Sequence, residues 1–122
     1  MGTKKILIVE DNQILRELCN EFLVVDGFDV CAAKNGKEAL EIYKRNGIDL
    51  VLMDLKIPVM DGFEALKQLK FIRANLPVIA LTGKATDEDK YKCKQAGFDD
   101  ILIKPYEGDR LAAVINKNLP HS

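Results

Sequence analysis

Leu50-Val51-Leu52-Met53-Asp54 is the stretch on which the fold turns. Four apolar residues run without a polar break and end on a carboxylate. A strand with one wet face alternates apolar and polar residues, so an unbroken run implies a strand covered on both faces, as in a parallel sheet. Similar runs lie at Ile6 to Val9, Val78 to Leu81 and Ile101 to Ile103. A weaker run, Val30 to Ala33, follows Asp29 and suits a sheet edge. Helical patterns lie between them. Ile14, Leu15, Leu18, Cys19, Phe22 and Leu23 form a stripe of period 3.6 with Arg16, Glu17, Asn20 and Glu21 opposite. Ala39, Leu40 and Tyr43 mark a second helix after Asn35-Gly36. Asp61 with Glu64 resembles a capping box opening a third through Leu66 and Leu69. Thr86 with Asp89 opens a fourth that Gly97 stops, and Leu111, Ala112 and Ile115 carry a fifth before Pro120. Strand and helix alternate five times. The expectation is a doubly wound α/β sandwich, with five parallel strands in the order 2-1-3-4-5 and five helices on both faces.

The chain has 122 residues, enough for one domain spanning 1–122 and one core. Its 18 basic and 19 acidic side chains leave a net charge of -1, so charge gives no support for nucleic-acid binding by this chain alone. Cys19, Cys31 and Cys93 have neither metal-ligand nor redox spacing and read as reduced, mostly buried thiols. No run approaches the length of a membrane span, and Met1 to Ile6 does not read as a signal peptide, so a cytoplasmic protein is expected. His121 is the only histidine, within the last two residues. That excludes Ser-His-Asp and Cys-His nucleophile systems and histidine-rich zinc sites. It also argues against a histidine kinase or a phosphohistidine carrier.

In such a sheet, chemistry collects beyond the carboxyl ends of the strands. Strand one ends in Glu10-Asp11, strand three in Asp54, strand four in Thr82 and strand five in Lys104-Pro105. With strands one and three adjacent, three carboxylates converge. Two carboxylates about 4 Å apart repel by roughly 4 kcal/mol at an effective dielectric near 20, so one is protonated or a cation sits among them. A few carboxylates with waters suit Mg²⁺, with Mn²⁺ as a substitute. An alternative reading is that Glu10-Asp11 caps the following helix. A carboxylate held against a divalent ion can attack a phosphoryl group, and the acyl phosphate formed needs a fixed cation and a hydrogen-bond donor. Lys104 supplies the first and Thr82 the second.

These residues resemble those of response-regulator receiver domains of two-component and phosphorelay signalling. The resemblance covers essentially the whole chain, through Lys5-Ile6-Leu7-Ile8-Val9-Glu10-Asp11-Asn12, Asp54-Leu55-Lys56-Ile57-Pro58-Val59-Met60-Asp61-Gly62, Ala80-Leu81-Thr82-Gly83 and Ile103-Lys104-Pro105-Tyr106. It implies that Asp54 takes phosphate from a sensor histidine kinase or a phosphohistidine carrier. It further implies that Asp11 and Asp54 bind Mg²⁺ directly, Glu10 through water and Lys56 through its carbonyl. Thr82 moves towards the phosphoryl oxygen, Lys104 pairs with it, and Gly83 leaves room for the phosphate. Lys104-Pro105 resembles the family's cis peptide. The family's frequent Tyr or Phe three residues before the lysine is Ile101 here. Tyr106 reads as a packing aromatic or as a partner contact. Lys56 and Lys84 flank the site, either as tuners of phosphoryl lifetime or as surface lysines. The resemblance is to stand-alone regulators of the chemotaxis and sporulation-relay kinds, which are switches rather than enzymes and act on a downstream protein. A receiver excised from a larger protein would read the same.

Rival readings fit less well. A flavodoxin-like cofactor module wants small hydroxylic residues after strand one, where Glu10-Asp11-Asn12-Gln13 would repel a phosphate. An aspartyl phosphohydrolase wants a second Asp two residues after the first, and Asp11-Asn12-Gln13 lacks it. A phosphorylation-free pseudoreceiver would not need the full acidic set with Thr82 and Lys104.

Overall fold

The apolar runs form five parallel strands in the computed structural model, which describes residues 3–83 and 86–120. They are β1 (Lys5–Val9), β2 (Asp29–Ala33), β3 (Leu50–Asp54), β4 (Val78–Thr82) and β5 (Asp100–Ile103). Their order is β2-β1-β3-β4-β5, which puts the weak run Val30 to Ala33 at an edge as expected. Between them run α1 (Gln13–Val25), α2 (Gly36–Arg45), α3 (Gly62–Ile72), α4 (Asp87–Ala96) and α5 (Gly108–Asn118). His121 and Lys84 lie outside the described residues.

The unbroken runs are explained by the two cores. Successive strand residues point to opposite faces. Ile6, Ile8, Leu50, Leu52, Ile79, Leu81 and Leu102 face α1 and α5, where Cys19, Leu23, Leu111 and Ile115 cover them. Leu7, Val9, Val51, Met53, Val78 and Ala80 face α2, α3 and α4, against Ala39, Leu40, Ala65, Leu66, Leu69 and Cys93. Both parities of each inner strand are therefore apolar because both are covered. The α1 stripe is only partly used: Cys19 and Leu23 are buried, while Ile14, Leu15 and Leu18 remain exposed. Among the described residues, no helix is long and apolar enough to cross a membrane.

Helix starts follow local chemistry. Asn12, Asn35, Asp61 and Thr86 cap α1 to α4 through side-chain oxygens that accept from backbone N–H groups of the first turn. At α3 half of the expected capping box forms, because Asp61 accepts from the Glu64 N–H while a Glu64 side-chain oxygen accepts from Gln68. Gly97 ends α4 at φ 109, as its position after the last periodic residue indicated.

The loop from β3 into α3 is held tightly. The Gly62 N–H donates to the Leu55 carbonyl at 3.2 Å, and the Met60 N–H donates to the Pro58 carbonyl at 2.7 Å. That second bond closes a γ-turn centred on Val59, which has φ 71 and is 78% exposed. A β-branched residue at positive φ is strained, and in this form of turn the strain is intrinsic. Gly62 cannot carry a side chain here: an added Cβ would lie 2.7 Å from the Asp54 carbonyl oxygen and 2.9 Å from the Leu55 Cα. Both are backbone atoms, so the loop itself would have to move. Gly62→Ala is expected to lower stability by about 1–3 kcal/mol, the usual cost of overpacking. The urea midpoint measures this, and an unchanged midpoint would show that the loop is free to shift.

Candidate functional site

Register brings the acidic residues together. Val9 pairs with Met53 across β1 and β3, so Glu10 and Asp54 emerge level with each other at the carboxyl edge of the sheet. Asp54 pairs with Leu81, and Thr82 with Ile103, which places Thr82 and Lys104 at the same edge. One ligand oxygen from each of Glu10, Asp11 and Asp54 lies within 4.8 Å of the others, Glu10 and Asp54 being buried and Asp11 exposed. Carboxylates at these distances suit a hard divalent cation with water completing its shell. Lys104 bridges two of them, its Nζ lying 2.7 Å from Glu10 Oε1 and 2.7 Å from Asp54 Oδ2.

The backbone fixes the other positions. The Lys56 N–H donates to Asp54 Oδ1 at 3.0 Å. The Lys104 N–H donates to the Thr82 carbonyl at 2.7 Å, tying the end of β5 to the end of β4. Arg16 reaches back from α1 and donates to the carbonyls of Glu10 at 2.8 Å and Asp11 at 3.3 Å. Its guanidinium thus braces the turn that presents both acids. The first turn of α1 contains no acid and Asn12 is its cap, so the alternative reading of Glu10-Asp11 as a helix cap does not hold. The Lys104–Pro105 peptide is cis.

Burial, then the proton shared with Asp54, pushes the Glu10 carboxyl up to about 7 against the opposing pull of Lys104. Burial also acts to raise Asp54, but hydrogen bonds from Glu10, Lys104 and the Lys56 N–H outweigh it and hold that carboxyl below its ordinary range. Below about pH 7 the proton this pair takes up therefore goes to Glu10, and Asp54 keeps the charge. The Lys104 ammonium is held above its ordinary value; desolvation opposes this and the two carboxylates overcome it.

A cavity of about 650 Å³ opens in front of Asp54. Thr82, Gly83 and Lys104 line it at the sheet edge, and Leu55, Lys56, Asp61, Phe63, Asp89, Lys92 and Cys93 form the remaining wall. Sequence reading overlooked Phe63 and Lys92, which no motif marks, and read Asp89 only as part of a helix start. Their helical spacing shows only that they lie on α3 and α4. An added Cβ at Gly83 would meet nothing within 4 Å, so any need for glycine there comes from what enters the cavity. A second groove, lined by Leu15, Leu18, Cys19, Phe22, Pro105 and Tyr106, runs along α1 on the other side of Glu10 and Lys104. Tyr106 packs partly buried against the α1–α5 core, beside Cys19, and also lines this groove. Cys19 and Cys93 are buried and Cys31 half-buried, all three as free thiols.

The raised Glu10 carboxyl gives a pH signature. A carboxyl at about 7 in the folded chain, against an ordinary 4.5, binds its proton more tightly when folded. Its stabilisation is complete below the ordinary value and is lost as pH rises through 7. Asp54 and Asp100 act in the opposite sense, but their lowered values confine them to more acid solution. In chelator-treated protein, stability is expected to fall between about pH 4.5 and 7 in the wild type and to be flat there in Glu10→Gln. Urea midpoints of both proteins across that window measure it, and parallel curves would refute the assignment of the proton to Glu10.

Comparison with known proteins agrees with this arrangement. The family model described as the response regulator receiver domain matches residues 6–116. The chemotaxis protein CheY of Bacillus subtilis is 40% identical over 116 residues, covering 94% of this chain and 97% of that one. Sporulation initiation phosphotransferase F of the same organism is 38% identical over 120 residues, covering 98% and 97%. The crystal structure of the receiver domain of the Pseudomonas aeruginosa sensor histidine kinase PA1611, with a magnesium ion coordinated in its active site cleft, superposes with TM-score 0.88 at 31% identity over 96% of this chain and 98% of that one. In other relatives the chain spans a small part of a longer protein, 7% of one hybrid histidine kinase and 20% of one transcription factor. The chain belongs to the response regulator receiver domain family of two-component and phosphorelay signalling.

Proposed function

We propose that Asp54 accepts a phosphoryl group from a phosphohistidine on a sensor histidine kinase or a phosphohistidine carrier, and that the phosphorylated chain signals through protein–protein contacts. The observation that carries this reading is the Lys104 ammonium within 2.7 Å of both Asp54 and Glu10, beside a cavity that gives Asp54 an open approach. Asp54 is the buried carboxylate kept ionised, the state a nucleophile needs.

Glu10, Asp11, Asp54 and the Lys56 carbonyl would hold Mg²⁺. When bound, that ion offsets charge on both the carboxylate and the incoming phosphoryl oxygens. An Asp54 carboxylate oxygen attacks phosphorus, the P–N bond breaks, and its electron pair returns to the partner's imidazole. The acyl phosphate carries more negative charge than the carboxylate did. Lys104 offsets that charge, and the Thr82 hydroxyl donates a hydrogen bond to a phosphoryl oxygen. The magnesium in the related receiver's cleft and the carboxylate spacing here support this reading.

Acetyl phosphate with Mg²⁺ is expected to add one phosphoryl mass to the wild type and none to Asp54→Asn. Lys104→Ala should slow the addition by about tenfold or more, as loss of a charge-stabilising group does. Intact-mass spectrometry reads both, and equal labelling of Asp54→Asn would overturn the assignment.

The partner surface has a physical candidate. Ile14, Leu15 and Leu18 are exposed on α1, and Leu15 and Leu18 line the groove that also touches Glu10 and Lys104. Apolar groups beside a reacting carboxylate give a docking partner area to bury and a means to exclude water. In Leu18→Asp, the ratio of kinase-driven to acetyl phosphate-driven labelling is expected to fall about tenfold, the worth of one central interface residue. Profiling against a set of histidine kinases supplies the partner, and an unchanged ratio would remove α1 from the interface.

A further inference from the structure

The cavity in front of Asp54 is much larger than a phosphoryl group and its metal need. Those would fill the end formed by Asp54, Thr82 and Lys104, and most of the remaining wall belongs to the loop from β3 into α3, to α3 and to α4. Its volume of about 650 Å³ lies in the range that holds whole small molecules. Transfer in line with Asp54 points the leaving group away from the carboxylate, outward into that remaining space.

The outer wall has a definite chemistry. Phe63 stands in the first turn of α3 and is 37% exposed although it is aromatic. Its ring is fixed by an edge-to-face pair with Phe98, at a centroid distance of 5.6 Å and an interplanar angle of 80°. A ring held in this way offers apolar surface at little entropic cost. Leu55 adds aliphatic surface, and Lys56 and Lys92 add two cations, Lys92 in an exposed ion pair with Glu88 at 3.5 Å that a bound carboxylate would compete with. The acids on this wall are engaged within their own helices. Asp61 accepts from the Glu64 N–H, and Asp89 is hydrogen-bonded to the Thr86 hydroxyl.

We propose that Phe63, Leu55 and Lys92 form a leaving-group subsite for a flat aromatic carboxylate, so that aromatic acyl phosphates are favoured donors to Asp54. This rests on the reading of Asp54 as the phosphoryl acceptor. In the step, an Asp54 oxygen forms a bond to phosphorus while the bond from phosphorus to the acyl oxygen breaks. The electron pair leaves on the aromatic carboxylate, so no proton has to be supplied. The ring lies against Phe63 and the departing carboxylate faces Lys92. Acetate would leave the Phe63 surface uncovered. Contact made by the non-reacting part of a donor favours transfer when it holds the reacting atoms in line.

The test compares benzoyl phosphate with acetyl phosphate at equal concentration and fixed Mg²⁺, reading initial phosphorylation rates by intact mass. The benzoyl-to-acetyl ratio is measured in the wild type, Phe63→Ala and Phe63→Leu. A difference in intrinsic donor reactivity cancels when the ratios are compared between proteins. A partly unfolded variant loses both rates together, so its ratio still reports on the subsite. The ratio is expected to be about fivefold higher in the wild type than in Phe63→Ala, the worth of one aromatic contact, with Phe63→Leu between them. Equal ratios in all three proteins would overturn the subsite while leaving Asp54 as acceptor. Failure of both donors to label the wild type at Asp54 would overturn the acceptor reading itself.

Discussion

The bridging of two acids, Glu10 and Asp54, by one lysine is the interaction around which this site is organised. Glu10 and Asp54 are both buried, and an unpaired buried charge costs far more than a surface one. Lys104 meets both at 2.7 Å from a strand that neighbours neither. Strand order makes this possible: β4 separates β5 from β3, and the Lys104 N–H is tied to the Thr82 carbonyl at the end of that intervening strand. From there a long flexible stem can carry its ammonium over β4 to the acids. A compact charge with three donors suits two carboxylates in different directions better than the planar fork of an arginine. Each strand end therefore contributes a part, and the sheet register decides whether the parts meet.

Most of this arrangement could be read from residue order. Unbroken apolar runs indicated two covered faces, and carboxylates at the ends of the first and third runs indicated convergence once those strands were neighbours. The half-exposed stripe on α1 was not legible. Periodicity shows which residues share a helix face, whereas burial depends on what lies opposite. Cys19 and Leu23 meet the sheet, and Leu15 and Leu18 border a groove instead. The ambiguity at Glu10-Asp11 had a similar origin, since an acid before a helix serves equally as cap or ligand. Asn12 settles it by taking the cap through its own side chain.

Loop geometry was the least visible part. Nothing in Pro58-Val59-Met60 announces a γ-turn, because valine is among the residues least suited to positive φ. The loop is fixed from its ends: Gly62 sits against the Asp54 and Leu55 backbone, and Asp61 caps α3. Strain at one exposed residue persists where its neighbours over-determine the path. The wall formed by Phe63, Asp89 and Lys92 was hidden for a different reason. These residues belong to separate helices whose approach is set by packing on one face of the sheet, including the Phe63–Phe98 pair.

Charge balance links the resting site to the chemistry proposed for it. Three acids converge, two of them on one lysine, and below about pH 7 the excess is relieved by a proton on Glu10, the more deeply buried of the bridged pair at 3% exposure against 7% for Asp54. A divalent ion among the same oxygens would remove the reason for that proton and lessen the demand on Lys104. Its ammonium would then be available to a newly arrived phosphoryl oxygen. The phosphoryl group, in turn, adds negative charge at the place where cations are already fixed, so the site need not reorganise to receive it. Ile101 stands outside this exchange. It packs in register with Ala80, half-buried on the α2–α4 side of the sheet, and it has no ring to reorient. The charge chemistry proposed for Asp54 therefore asks nothing of an aromatic at position 101.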